Sequence, residues 1–215
     1  MNIGILGTGM VGTIIGDKLV RMGHFVKMGS RTATNEKATA WVRQHGEKAS
    51  QGTFGEAAAF GEMVFNCVAG MNSLEALQQA SAEHLKGKIL IDLANPLDFS
   101  KGMPPTMSVC NTDSLGEQIQ RAFPLTKVVK TLNTVNSYVM VNPTLIPGDH
   151  DIFICGNDAE AKKTVVDFLQ REFGWKSVID LGDITGARAT EMWLPLWLRL
   201  YTVLQTPNFN IHVVR

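Results

Sequence analysis

Several things are scarce in this chain, and each scarcity closes off a class of protein. Cysteine occurs three times in 215 residues, at Cys67, Cys110 and Cys155. The count is odd, the spacings are wide and there is no C-x-x-C pair, so neither a disulfide framework nor a zinc site is expected. Cys67 and Cys155 sit in the apolar runs FNCVAG and DIFICG and read as small buried hydrophobes. Neither sign of charge is in surplus: twenty Lys and Arg balance twenty Asp and Glu, which argues against nucleic acid or an anionic membrane as a partner. The longest apolar stretch, Met192 to Leu204, is interrupted by Pro195 and Arg199 and falls short of the roughly 20 residues a membrane span needs. The first residues, MNIGILGTGM, carry no basic segment, so they read as a strand and not as a signal peptide. A reducing cytoplasm is the expected compartment.

What remains is the composition of a globular protein, 45% hydrophobic and 19% charged, long enough for one core with a small appendage. Short apolar runs (Asn2–Leu6, Phe25–Met28, Met63–Val68, Lys88–Leu93, Val128–Leu132, Asp151–Cys155, Ser177–Leu181) alternate with helical patterns at Met10–Met22, Asn35–His45, Ser73–His84, Ser114–Ala122 and Ala159–Phe173. In the first of these, Val11, Ile14, Ile15, Leu19 and Met22 recur at helical spacing. Nearly all-apolar strands separated by helices imply a parallel sheet covered on both faces, and right-handed crossovers make it doubly wound. The expectation is an α/β fold, a doubly wound parallel Rossmann sheet extended by extra strands. Residues 1–182 would form the nucleotide-binding domain and 183–215 a small C-terminal helical segment and tail, its helix kinked or broken at Pro195. Gly23 is expected to close the first helix. Thr34 is expected to cap the second, with Thr32 as competitor, and Asp158 the helix from Ala159.

The chemistry-bearing motif is Gly7-Thr8-Gly9-Met10-Val11-Gly12, a G-x-G-x-x-G that follows a strand and opens an amphipathic helix. Gly7 permits the tight turn, Gly9 lets the backbone approach a pyrophosphate, and Gly12 allows close packing of helix on strand. The helix N-terminus offers free N–H groups and partial positive charge to the anion. A chain of this kind that binds NAD carries an acid at the end of its second strand, about 20 residues on, to hold the ribose 2′-OH. That acid is missing. The position reads Gly29-Ser30-Arg31-Thr32, with Lys37 one helical turn away. A hydroxyl, a guanidinium fork and an ammonium suit a phosphate dianion, so Ser30, Arg31 and Lys37 predict NADP(H) in place of NAD.

With these residues in view, the stretch GTGMVGTIIGDKLVRMGHFVKMGSR resembles the start of the F420-dependent NADP oxidoreductases and their bacterial relatives, the second-strand "GSR" being the specific part. Further matching places are Val68-Ala69-Gly70, Asp92-Leu93-Ala94-Asn95-Pro96, Lys130-Thr131-Leu132-Asn133-Thr134, Phe153 to Asp158, and Gly186-Ala187-Arg188 through Trp197. The resemblance implies that hydride passes directly between nicotinamide and a bound deazaflavin. It implies that Gly7, Thr8, Gly9, Met10 and Val11 meet the pyrophosphate and that Ser30 and Arg31 hold the 2′-phosphate. Val68, Ala69, Gly70, Asn95 and Pro96 would flank ribose and nicotinamide, and Asn133 and Thr134 would face the reaction zone. The acidic tail of F420 would want a basic rim, for which Lys127, Lys130, Lys162 and Lys163 are candidates.

Hydride transfer needs positioning more than acid–base groups, so no catalytic side chain and no metal are expected. His24 reads as structural, and His212 is a candidate to fold over the site. Trp193, Leu194, Trp197, Leu198 and Tyr201 read as core, as the interface of a homodimer, or as a wall on which a planar ring stacks. The leading expectation is an NADPH-binding oxidoreductase that passes hydride to a planar small-molecule acceptor, coenzyme F420 or a flavin as co-substrate. Two alternatives stay open: a non-catalytic NADPH sensor, and an imine or β-hydroxyacid reductase with a dimer-built substrate site.

Overall fold

The computed structural model describes all 215 residues. The strands are β1 (Asn2–Leu6), β2 (Phe25–Ser30), β3 (Ala49–Thr53), β4 (Met63–Asn66), β5 (Ile89–Asp92), β6 (Leu97–Asp98), β7 (Thr106–Met107), β8 (Lys127–Thr131), β9 (Asp151–Cys155) and β10 (Ser177–Asp180). The helices are α1 (Met10–Arg21), α2 (Glu36–His45), α3 (Phe54–Phe60), α4 (Ser73–Ala80), α5 (Ala82–Leu85), α6 (Leu115–Ala122), α7 (Ser137–Val141), α8 (Ala159–Phe168), α9 (Ala187–Met192) and α10 (Leu194–Leu204). Eight strands form one sheet in the order β10-β9-β8-β5-β4-β1-β2-β3, and β6 and β7 make a separate small hairpin. The order reverses between β1 and β4, and that reversal is where ligands sit in doubly wound sheets.

The sheet is mostly, not wholly, parallel. From β3 across to β8 every pair is parallel, but β9 runs antiparallel to β8, with Lys130 opposite Cys155. β10 then follows β9 in parallel. Apolar content shows that a strand is buried without showing which way it runs, so this reversal was outside the sequence expectation. One consequence is positional: β9 and β10 begin, and do not end, on the side where the other strands end.

Both faces are covered. On one, α1, α2, α7 and α8 enclose a cluster of 28 buried residues; on the other, α3 to α6 enclose 16. Gly23 follows α1 at φ +95°, as its C′ role requires. The N-cap of α2 is Asn35, not Thr34 or Thr32, its side chain accepting from Lys37 and Ala38 N–H. Asp158 caps α8. The long C-terminal pattern breaks at Trp193, with Pro195 in the first turn of α10, where its missing N–H costs nothing. The unit β3–α3 escaped the apolar pattern because ASQGT is a polar edge strand. Its one clear sequence sign was Thr53-x-x-Glu56, which forms a capping box.

Candidate active site

A two-part cleft follows the C-terminal ends of β1, β2, β4, β5 and β8. The first part, about 430 Å³, is lined by Gly7, Thr8, Gly9, Ser30, Arg31 and Thr32 on one side and Val68, Ala69, Asn72 and Glu75 on the other. The second, about 900 Å³, is mostly apolar and reaches from Met10 and Val11 past Leu93, Asn95, Asn133 and Thr134 to Leu194, Trp197, Tyr201 and Pro207. Gly9, Cys67, Val68 and Ala69 line both, so the two parts are one continuous groove.

The glycines divide their work as the motif requires. Gly7 sits at φ +114°, and a Cβ there would lie 2.8 Å from the Cys67 carbonyl oxygen. A Cβ on Gly12 would collide with the Gly7 carbonyl, whereas one on Gly9 would meet nothing within 4 Å. Gly9 is therefore not demanded by the fold; the space it leaves opens into the cleft. No side chain caps α1 and no acid stands in its first turn, whereas α2, α3, α6 and α8 each begin on a capping side chain. The α1 N-terminus is left with free N–H groups and positive potential, a fit for a pyrophosphate.

At the end of β2, Ser30 is buried and its hydroxyl donates to the Thr32 carbonyl at 2.7 Å. This bond folds the chain back and sets Arg31 on the groove. Arg31 is exposed and enters no ion pair. Lys37 is exposed in the first turn of α2 and lies outside the groove lining.

The apolar part holds no carboxylate, amine or imidazole; its titratable groups are the Cys67 thiol and the phenols of Tyr138 and Tyr201. Burial pushes the Cys67 thiol above its ordinary range, and the nearby Asp92 carboxylate adds to this, so it stays protonated and poorly nucleophilic. Asn95 and Asn133 hold each other: Asn95 Nδ2 donates to the Asn133 carbonyl and Asn133 Nδ2 to Asn95 Oδ1, both at 2.9 Å. That pairing leaves Asn133 Oδ1 without a partner, as are Thr134 Oγ1 and Trp197 Nε1. Buried polar atoms are seldom left unpaired, and these three belong to residues on the same stretch of the groove. Trp197 stacks between Tyr201 and Phe209, with ring centroids 5.6 and 5.3 Å away. Pro96 is buried behind the wall, its carbonyl accepting from Ser108 N–H at 2.8 Å.

Beneath the floor lies an ionic cluster that the sequence reading placed elsewhere. Lys130 is wholly buried and not on a basic rim: its Nζ meets Asp92 Oδ2 at 2.8 Å, Glu191 Oε1 at 2.9 Å and the Ala94 carbonyl. Burial would lower this ammonium's pKa, but the carboxylates of Asp92 and Glu191 outweigh it and hold the group above the usual lysine range. Lys127 and Lys162 pair with Asp158 (3.2 Å) and Asp180 (2.9 Å), and Lys163 is exposed on α8. None of the four lines the cleft. Alternating strand residues are easily read as surface when charged; only the coincidence of Asp92, Lys130 and a distant Glu191 reveals the cluster, and that needs the fold.

The histidines stay out of the groove. His24 faces Glu172 at 3.5 Å, and His212 contacts Asp151 at 3.1 Å beyond the cleft. It is Pro207, earlier in the tail, that reaches the wall. No cluster of His, Cys, Asp and Glu suited to a metal forms, and no helix is long and apolar enough to cross a membrane.

Residues 2–96 match the family model described as NADP oxidoreductase, coenzyme F420-dependent. An F420-dependent NADP reductase of Methanocaldococcus jannaschii is 31% identical over 159 residues, covering 74% of this chain and 70% of that protein. The metalloreductase STEAP3 of Rattus norvegicus is 31% identical over 198 residues, 91% of this chain but 36% of that longer protein. A crystal structure of a candidate F420-dependent NADP reductase from Arthrobacter sp. FB24 superposes with a TM-score of 0.93 at 49% identity and covers 99% of both chains. The glycine loop, the acid-free second strand and these matches together place the chain in the F420-dependent NADP oxidoreductase family, as an NADP(H) oxidoreductase.

Proposed function

We propose that this protein exchanges hydride between NADP(H) and a planar tricyclic acceptor of the F420 or flavin type, both held in the one groove. The carrying observation is the contrast along that groove. One end offers bare helix N–H groups, Ser30 and an unpaired Arg31; the other is a ring-lined apolar slot without carboxylate, amine or imidazole. Gly7, Thr8, Gly9, Met10 and Val11 would hold the pyrophosphate and Arg31 the 2′-phosphate, joined by Ser30 if its hydroxyl exchanges the Thr32 carbonyl for the phosphate. Lys37 would add long-range attraction from outside the lining. Val68, Ala69, Gly70 and Asn95, with Pro96 behind them, would frame ribose and nicotinamide. The unpartnered Asn133 Oδ1 and Thr134 hydroxyl suit the amino and carbonyl groups of the nicotinamide carboxamide.

Nicotinamide would supply the hydride when bound; the apolar lining, with Leu194, Trp197 and Tyr201, would shield the reacting rings from water and orient them. We assign residues 1–182 to the dinucleotide and 183–215 to the acceptor wall. Leu196, Tyr201, Val203 and Leu204 leave an apolar face on α10 exposed, which supports a homodimer, and three free cysteines suit the cytoplasm. An anaerobic assay of NADPH against F420, FMN, a ferric chelate and a cyclic imine tests the reading. F420 or FMN turnover supports it. NADPH binding with no turnover on any acceptor favours a sensor, and turnover of the imine alone favours the reductase alternative.

A further inference from the structure

Glu191 lies far along the chain from the glycine loop, yet it touches the groove through a connected set of buried groups. Its carboxylate accepts from Leu115 N–H (2.8 Å) and Gly116 N–H (3.0 Å) at the start of α6 and meets Lys130 at 2.9 Å. The three N–H bonds of Lys130 are spent on Glu191, Asp92 and the Ala94 carbonyl, so the ammonium has no freedom to turn. Asp92 Oδ1 accepts from Ala94 N–H (3.2 Å) and from Asn66 Nδ2 (2.7 Å). The Ala94 residue is thus gripped at both its N–H and its carbonyl. Asn66 Oδ1 accepts from Val68 N–H (3.3 Å), and the Ser73 hydroxyl, itself bonded by Asn66, donates to the Val68 carbonyl (3.4 Å). Val68 is gripped in the same way.

Asn66, Ser73, Asp92, Lys130 and Glu191 are each buried to 1% exposure or less. A buried ionic cluster of this kind is a weak way to gain stability, since apolar side chains of equal volume do as well. What apolar side chains cannot do is hold the backbone polar groups of two loops in one orientation.

We propose that Glu191 is a positioning residue: through Lys130, Asp92 and Asn66 it fixes the backbones of Ala94 and Val68, the two loops that frame the nicotinamide end of the groove. Because α9 leads directly into α10, the same residue registers the Trp197 wall against those loops. The inference rests on the NADP(H) reading above. It predicts a division: the nicotinamide end, lined by Ala94 and by Val68 where the two parts meet, depends on Glu191, and the wall of Ser30 and Arg31 at the far end, built on β2 and the glycine loop, does not.

The test is Glu191→Gln in the full chain, which keeps the volume and alters the charge and donor pattern. Amide hydrogen exchange at Val68 and Ala94 is expected to quicken about tenfold or more while amides of β1 and β2 hold their rates. By isothermal titration, NADP⁺ affinity is expected to weaken about tenfold while that of 2′,5′-ADP changes less than about twofold. Unchanged exchange at both loops, or parallel loss of the two affinities, overturns the proposal. Ser73→Ala, which removes the grip on the Val68 carbonyl and one acceptor of the Asn66 amide while leaving Lys130, Asp92 and Glu191 in place, serves as second variant should Glu191→Gln fail to fold. It is expected to speed Val68 exchange and spare Ala94; equal effects at both, or none, count against the network. Wild-type protein that binds 2′,5′-ADP no better than 5′-AMP overturns the NADP(H) reading, and the exchange measurements then decide the positioning role alone.

Discussion

The two ends of the groove are built on opposite plans. One wall of the phosphate end is backbone and exposed side chains from the glycine loop and the end of β2, Arg31 among them; the facing wall comes from the loop after β4 and α4. This end is held open by what is missing there, a Cβ on Gly9 and a cap on α1. The ring end is assembled from loops after β4, β5 and β8 together with α10, and is kept in shape from below by buried charges. An anion site needs donors and little else, whereas two flat rings at reacting distance need walls that do not move. The difference in construction follows from that difference in task.

The comparison breaks most violently at Lys130. Lys130→Met leaves Asp92 and Glu191 buried and unpaired, with an expected loss of roughly 3–5 kcal/mol of folding stability by denaturant titration; a loss under 1 kcal/mol would mean the carboxylates find other compensation. At the opposite end, Arg31→Ala should leave stability untouched and weaken NADPH by about 2 kcal/mol while NADH binding stays the same. Equal losses for both dinucleotides would remove the 2′-phosphate from Arg31. Gly9→Ala sharpens the contrast between fold and ligand: stability should change by less than about 1 kcal/mol, but dinucleotide affinity should fall by about 1–2 kcal/mol as the methyl fills space meant for phosphate.

The smallest effect is a pH dependence outside the groove. The Arg121 guanidinium beside Asp113 holds that carboxyl down to about 2 from 3.8. A depressed pKa contributes stability that is complete above the ordinary value and fades as the pH falls towards the folded-state value. The pair is partly exposed, so less than about 1 kcal/mol should be lost in that acid window, and Asp113→Asn should flatten it.

Legibility in the sequence followed the same division. Gly7, Thr8, Gly9, Ser30 and Arg31 belong to a pattern whose spacing has a mechanical meaning, and they line the first part of the groove; Met10 and Val11, next in the loop, line the second. Strands β1, β2, β4, β5 and β8 were likewise legible as apolar runs, and their parallel pairing from the helices between them, whereas the polar edge strand β3 was not. The reversal at β9 was not, because hydrophobicity carries no direction. Lys130 misled for a related reason: a lysine at a strand end reads as solvated until Asp92, on the neighbouring strand, and Glu191, on a distant helix, are seen beside it. Tyr201 and Trp197 were visible as an aromatic cluster, but whether they face core, partner or slot depended on the break at Trp193.

Of the four tryptophans, Trp41 and Trp175 are buried in the core, and Trp193 is tied by its N–H to the Thr134 carbonyl at 3.2 Å. Trp197 alone lines the slot. Its indole therefore acts as a built-in optical reporter. Quenching of its emission will follow occupancy of the ring end without any attached label, and a Trp197→Phe chain supplies the background of the other three tryptophans.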